Sequence, residues 1–410
     1  MRILIYGINY APELVGVGKY TGEMGDWLAA KGHKVRVITS PPYYPNWQVW
    51  PNFSKWFYCN NISINLLVWR CPLYVPTRPV AILRILHLLS FAFTSMPILM
   101  MQIFWVPKII FLISPTLICA PQTLLLAKIT GAKSVLHIQD FEVDAFLGLD
   151  LAESGSRSVI LRRILFSFES LILKSFSLVS TISSGMMSRA IDKGVIPENL
   201  RFLPNWSEID RFQNVKPSEE LMQRLGVVGH KRIILYSGSM GEKQGLENVL
   251  LAAQNLQTTS DLVFLLVGEG SYKNRLINMA LDMKLNNVIF SPLQSYENLP
   301  YLLASADVHL VIQRRDVADA VLPSKLSNIL AIGGNVVITC DISTTLGKLA
   351  LDHPGIAIVV EPESVNALIG GIEQGLSMTR PNSIAQTYAQ KFLDKEEVLS
   401  RFFTEFDTYA

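Results

Sequence analysis

The chain has 410 residues, half of them hydrophobic and 17% charged, with 36 Lys and Arg against 34 Asp and Glu. That length exceeds what one hydrophobic core normally supports, so two domains are expected. A net charge of +2 lacks the global basic excess of a nucleic-acid binder, and four cysteines without a C-x-x-C pair offer neither a zinc site nor a disulfide framework.

The charge is unevenly placed. Residues 27–139, 113 in all, contain no Asp or Glu but ten Lys or Arg and six of the seven Trp. A one-sign field beside aromatic and apolar surface suits an anionic lipid–water interface.

In chain order, Arg2–Gly7 reads as a buried strand, without the long apolar run of a secretory leader. A glycine-containing loop (Pro12 to Gly18) and a helix near Tyr20–Lys31 follow, closed by Gly32-His33. Lys34–Thr39 is the next strand, and the prolines of Pro41–Pro45 make a loop. Arg84 and Lys108 bracket a charge-free run, residues 85–107, long enough to span a bilayer. His87, Ser90, Thr94, Ser95, Gln102 and a central Pro97 weigh against a span. A span, a helix pair or hairpin lying in the interface, and an ordinary buried helix all remain open. Ile109–Ile113, Ser134–Ile138 and Leu178–Ile182 are further strands, and β-α-β alternation predicts a parallel sheet covered by helices.

The polar, proline-bounded stretch from Pro204 to Pro217 marks a domain boundary, after which the pattern restarts. Strands are expected at Arg232–Tyr236, Leu262–Val267, Val288–Ser291, Val308–Ile312 and Asn335–Thr339, with helices at Glu247–Asn255, Asn274–Lys284, Leu299–Ala304 and Ser324–Ile332. The fold class is α/β, with Rossmann-like domains over 1–206 and 207–390 and a terminal helix in 391–410.

Several segments carry candidate chemistry. The turn after Arg232–Tyr236 holds Gly238, Ser239, Gly241, Lys243 and Gly245 and leads into a helix, whose free N–H groups and dipole attract an anion. Packing alone would also ask for glycines there. Gly268-Glu269-Gly270 is a second such turn, too short to specify a ligand. In Leu322–Asn328, Pro323 and Ser324 start a helix and place Lys325 in its first turn. A lysine opposes the helix dipole there unless an anion docks beside it; the alternative is a surface lysine. Gly16 and Gly18 follow the first strand, where open α/β sheets bind ligands. His137 and Asp140 close another strand. Glu142 and Asp144 read as helix N-terminal charges, and lacking a third ligand they make no metal site.

These segments, with Tyr6–Tyr10, Pro41–Trp47, Arg70–Pro76, Phe202–Glu208, Ala318–Leu326 and Pro354–Val365, make the chain resemble the GT-B glycosyltransferases of glycosyltransferase family 4. Within that family it resembles the colanic acid fucosyltransferases. The resemblance implies two Rossmann-like domains facing across a cleft, with the nucleotide-sugar donor in the second and the acceptor in the first. It also implies retention of configuration, no metal or other cofactor, and a last helix, Glu396–Phe406, that crosses back to the first domain. Gly16 and Gly18 match the family's diphosphate-side loop, His137 the histidine that contacts the transferred sugar, and Gly238–Gly245 the donor diphosphate loop. The family's loop Arg and Lys fall on Ser239 and Gln244, with Lys243 displaced by one, and its glutamate pair falls on Ala320 and Asn328. Asp319 and Asn328 are the expected substitutes, with Lys325 neutralising phosphate. The implied reaction moves L-fucose from GDP-fucose to a polyprenyl-diphosphate-linked saccharide, on the cytoplasmic face of an anionic plasma membrane. A UDP-sugar donor, a nucleotide-sugar 2-epimerase and a non-catalytic membrane-bound scaffold are the alternatives.

Overall fold

The computed structural model describes residues 1–13, 16–77, 80–144, 156–229, 231–259, 261–315 and 324–407. It divides into two compact units, Met1–Leu203 and Pro204–Ala410.

The first unit is built on eight strands: β1 (Arg2–Tyr6), β2 (Lys34–Thr39), β3 (Cys59–Ser63), β4 (Leu66–Arg70), β5 (Ile109–Ile113), β6 (Lys133–Ile138), β7 (Leu178–Thr181) and β8 (Leu200–Phe202). Their order is β3-β4-β2-β1-β5-β6-β7-β8, parallel throughout except where β3 runs antiparallel to β4 at the edge. Ile3, Leu4, Ile5 and Tyr6 of β1 and the whole of β5 are buried, as expected of central strands covered on both faces. Helices α1 (Gly16–Ala30), α2 (Ala81–Trp105), α3 (Ala120–Thr130) and α4 (Ser156–Ser175) connect them. The chain moves one way across the sheet through α1 and the other way through α2, α3 and α4. Right-handed crossovers therefore put α1 on one face and the other three on the opposite face.

Residues 85–107 are no hairpin. They lie mostly in α2, one continuous helix of 25 residues that contains Pro97. His87, Phe91, Ser95, Leu99 and Gln102 are buried, at spacings of three and four that mark one helix face. That face holds three polar side chains, His87, Ser95 and Gln102, and Thr94 is half-buried beside it. The Ser95 Oγ and Tyr6 hydroxyls are 2.5 Å apart, Arg36 Nη1 donates to Gln102 Oε1 at 2.9 Å, and Thr94 Oγ1 donates to the Pro72 carbonyl at 2.7 Å.

The second unit has six parallel strands: β9 (Arg232–Ser237), β10 (Leu262–Val267), β11 (Val288–Ser291), β12 (Val308–Val311), β13 (Val336–Thr339) and β14 (Ile358–Val360). Their order is β11-β10-β9-β12-β13-β14. The chain winds outward from β9 in one direction, then returns to β12 and winds outward in the other. The junction of β9 and β12 is thus a topological switch point, where the loops at the carboxyl ends of the strands diverge and leave a crevice. Two helices matter for it: α5 (Glu247–Asn255), which follows the β9 turn, and α6 (Ser324–Ile332), which follows the β12 loop. Ser207 ties the start of this unit to its end, its N–H donating to Leu393 and its carbonyl accepting from Lys395.

Candidate functional site

Both elements singled out in the second half flank its switch point. The glycine-rich turn leaves β9, and Lys325 sits in the first turn of α6. They meet. Lys325 Nζ lies 4.1 Å from the centroid of the Tyr236 ring, and 3.7 Å from where a Cβ on Gly238 would stand. The ring supplies a cation–π contact, and Tyr236 is itself fixed by donating its hydroxyl to the Ser239 carbonyl at 2.5 Å. Among the described residues no carboxylate is placed against Lys325. Burial accordingly lowers its pKa from 10.5 to about 7. A lysine held against the Gly238 turn, with no acidic partner among the described residues, is poised to gain most when an anion arrives.

The turn is held by contacts that reach well beyond it. Gly238 has φ +151°, and its N–H donates to the Val267 carbonyl at 2.9 Å. Met240 N–H donates to the Glu269 carbonyl at 2.9 Å, and Tyr272 N–H returns a bond to Met240 at 3.0 Å. The second glycine turn is the cradle for the first: a Cβ on Gly268 would collide with the Gly238 carbonyl, and one on Gly270 with the Met240 carbonyl. At the far end, Gly241 N–H donates to Gln244 Oε1 at 2.9 Å, and Gly245 turns the chain at φ +62°. Arg314, on the loop after β12, latches this end. Its Nε donates to the Glu242 carbonyl at 3.0 Å and its Nη2 to Glu247 Oε1 at 2.8 Å. Ser239 and Lys243 are exposed. Asn328 is committed elsewhere, its Oδ1 accepting from Ser207 Oγ at 2.8 Å. Asp319 and Pro323 lie outside the described residues, as does the side chain of Ser324.

In the first unit Gly16 and Gly18 fall inside α1 rather than in a loop before it. Gly18 is buried, and a Cβ there would stand 2.7 Å from Glu13 Cβ. Gly22 and Gly25 face Ala11 and Tyr10 in the same way. The glycine run lets the loop after β1 lie directly on the helix. That loop carries Glu13, a buried carboxylate absent from the sequence expectations. It accepts from Asn9 Nδ2 at 2.9 Å and from the N–H groups of Tyr43 and Tyr44 at 3.0 Å each, and burial raises its pKa.

His137 is wholly enclosed on β6, and burial lowers its pKa to about 4, so the ring is neutral. Its Nε2 lies 3.1 Å from Gln139 Nε2 and its Nδ1 2.9 Å from Ser180 Oγ. The amide nitrogen can only donate, so His137 Nε2 accepts and the Nδ1–H donates to Ser180. Both ring nitrogens are thereby engaged within the sheet. Glu142 and Asp144 do more than end a helix. The Glu142 carboxylate accepts from Leu117 N–H at 2.6 Å and Ser114 Oγ at 3.1 Å, and burial raises its pKa to about 7. Asp144 pairs with Arg189 at 2.9 Å and Lys193 at 3.1 Å. Among the described residues no three His, Cys, Asp or Glu side chains gather into a metal cluster.

Tyr236, Arg314, Gly268 and Gly270 were not picked as site residues from the sequence. A single signal points to them: all lie at the carboxyl ends of β9, β10 and β12 or on the loops that follow.

Comparison with known proteins agrees with this architecture. Residues 15–206 match the family described as Glycosyl transferase 4-like domain, and residues 217–392 match Glycosyl transferases group 1. The colanic acid biosynthesis glycosyl transferase WcaI of Escherichia coli K12 is 54% identical over 407 residues, covering 99% of each chain. Among solved structures, sucrose-phosphate synthase from Thermosynechococcus elongatus superposes with a TM-score of 0.75 at 15% identity, over 100% of this chain and 99% of that one. Anabaena HepE, solved with UDP and glucose, gives a TM-score of 0.66 at 15% identity over the full length of both. The chain is a glycosyltransferase of the group 1, family 4-like type, with two Rossmann-like α/β domains of the GT-B fold.

Proposed function

We propose that the protein transfers L-fucose from GDP-fucose to a saccharide carried on polyprenyl diphosphate, in assembly of a colanic-acid-type exopolysaccharide. The observation that carries this reading is the meeting of Lys325 with the Gly238 turn at the second unit's switch point. In the reaction the anomeric C–O bond to the diphosphate breaks, and an acceptor oxygen takes its place with release of its proton. Negative charge grows on the departing diphosphate. Lys325 and the first turn of α6, set against the Gly238 turn, are the groups that would meet that charge, with no metal required for the purpose. The identity of the WcaI relative supports the pathway. HepE, which shares the fold, was solved with UDP, and that supports a nucleotide diphosphate as the ligand class.

The test is a donor screen with purified protein and a lipid-linked acceptor, scoring nucleotide release across GDP- and UDP-sugars. Release of GDP from GDP-fucose is expected. Turnover of a UDP-sugar alone would reassign the donor. Failure to bind or turn over any nucleotide sugar would remove the proposal.

A further inference from the structure

The outer helical layer of the first unit is built inside out. The exposed face of α2 is apolar: Phe93 is 83% and Phe104 90% exposed, although the same helix buries His87, Ser95 and Gln102. At about 1.5 Å per residue this helix is about 37 Å long, so the apolar strip is extensive. Its neighbours continue it. Helix α3 packs beside α2, and α4 beside α3. Leu125 and Ile129 of α3 and Phe168 and Leu171 of α4 are all exposed. Water-facing apolar side chains on three adjacent helices are not explained by packing within the unit.

The charges on this layer have one sign. Helices α2 and α3 contain no acid, and the one acid of α4, Glu169, is buried and bonded to Lys193. Lys128, Arg162, Arg163 and Lys174 are exposed. We infer that the α2–α3–α4 face is the protein's docking surface for an anionic lipid bilayer, with α2 lying along the membrane plane and its outer face immersed among the acyl chains. This rests on the reading that the acceptor is lipid-linked. A second copy of the chain is a poorer occupant, because two such faces would oppose lysines and arginines with no exposed carboxylate on the described residues of α2, α3 and α4 between them. Nor does α2 cross the bilayer. Its polar side is pinned to the sheet through Tyr6, Arg36 and Pro72, so insertion on end would strip those groups of their partners.

The experiment floats the full-length protein on vesicles of phosphatidylethanolamine and phosphatidylglycerol, with phosphatidylcholine vesicles as the control. Nucleotide release is measured in parallel on a water-soluble, short-chain acceptor. Wild type should bind the anionic vesicles, less so as salt rises, and should leave them in alkaline carbonate. Phe93→Ser/Phe104→Ser should lower partitioning by at least about tenfold, through lost apolar insertion. Lys128→Glu/Arg163→Glu should remove the preference for anionic lipid. Both variants should retain release on the soluble acceptor. The inference is overturned if the phenylalanine variant floats like wild type. It is also overturned if wild type resists carbonate as a spanning protein would, or if the variant turns a dimer into a monomer with no change in vesicle binding. If no donor is turned over while vesicle binding still depends on Phe93 and Phe104, the transferase reading fails and the docking surface stands.

Discussion

The ammonium of Lys325 rests 4.1 Å above the ring of Tyr236, although the two residues come from different sides of the switch point, one on α6 and one on β9. The contact places a lysine of lowered pKa against the glycine turn, where among the described residues a π-face and no carboxylate accompanies it. Such a site is costly while empty and repaid by an anion. The structure thus couples the stability of the second unit to its occupancy.

That coupling predicts a trade between stability and activity. The folded state releases its Lys325 proton near pH 7 and the unfolded chain near 10.5, so the unfolded chain binds more protons in that window and wild-type stability rises with pH across it. Lys325→Met removes the penalty and should stabilise the unliganded protein at pH 7 by about 1–4 kcal/mol, read as a higher Tm. The same change, like Lys325→Ala, should lower kcat/KM by about 100- to 1,000-fold. Lys325→Arg should not restore activity, because a planar guanidinium is a poor substitute for a compact ammonium beside Gly238.

The two-turn cradle predicts different responses to equal substitutions. Gly268→Ala forces a side chain into the Gly238 carbonyl, backbone that has no freedom to withdraw. It should cost about 1–3 kcal/mol and weaken nucleotide binding as well. Gly241→Ala meets only Gln244 Oε1, at 2.9 Å, the far end of a side chain that can turn away. Its effect on stability should be small, and urea unfolding of the pair separates the two cases.

The Arg314 latch predicts a loss of organisation without loss of fold. Arg314→Ala frees the Glu242 carbonyl and leaves Glu247, whose Oε1 also accepts from Tyr272 at 2.9 Å, with one partner fewer. The ion pair is substantially exposed, so its direct contribution to stability should be at most about 1 kcal/mol. Nucleotide affinity should fall by about tenfold, as a turn left to order itself on binding must supply the lost preorganisation.

His137 predicts a pH signature. Its folded pKa of about 4 lies below its ordinary 6.5, so the unfolded chain takes up a proton between those values and the residue's contribution is lost as pH falls through that range. His137→Gln should be less stable than wild type at pH 7. The gap should narrow by up to about 1.4 kcal/mol per pH unit below 6.5, with the raised pKa of Glu142 and Glu13 cancelling between the two proteins. Activity above pH 6 should show no ionisation of His137.

Much of the frame was legible in the residues. Ile109–Ile113 and Leu262–Val267 are unbroken apolar runs that only a strand covered on both faces accommodates, and both strands have those bounds. Lys325 could be singled out because it opposes its own helix dipole. The glycines were harder. Gly18 beside the first strand is equally suited to a ligand or to a neighbouring chain, and only its distance to Glu13 separates the two. Gly268 and Gly270 looked too short to matter, since their partners, Gly238 and Met240, lie about thirty residues earlier. The run 85–107 was ambiguous for a physical reason: its composition fits a buried helix, a span and an interfacial helix alike. What distinguishes them is which face the polar residues occupy, and α2 turns them inward.

The most direct test of the anion site is calorimetry of GDP binding at pH 8, in two buffers of different ionisation enthalpy, for wild type and Lys325→Met. With a pKa of about 7, Lys325 is mostly neutral in the free protein at this pH. An arriving diphosphate should therefore draw close to one proton from solution in wild type, and none in the variant, whose affinity should drop by at least about 30-fold. Equal affinity and equal proton uptake in the two proteins would contradict the assignment of Lys325 and the Gly238 turn to the donor diphosphate.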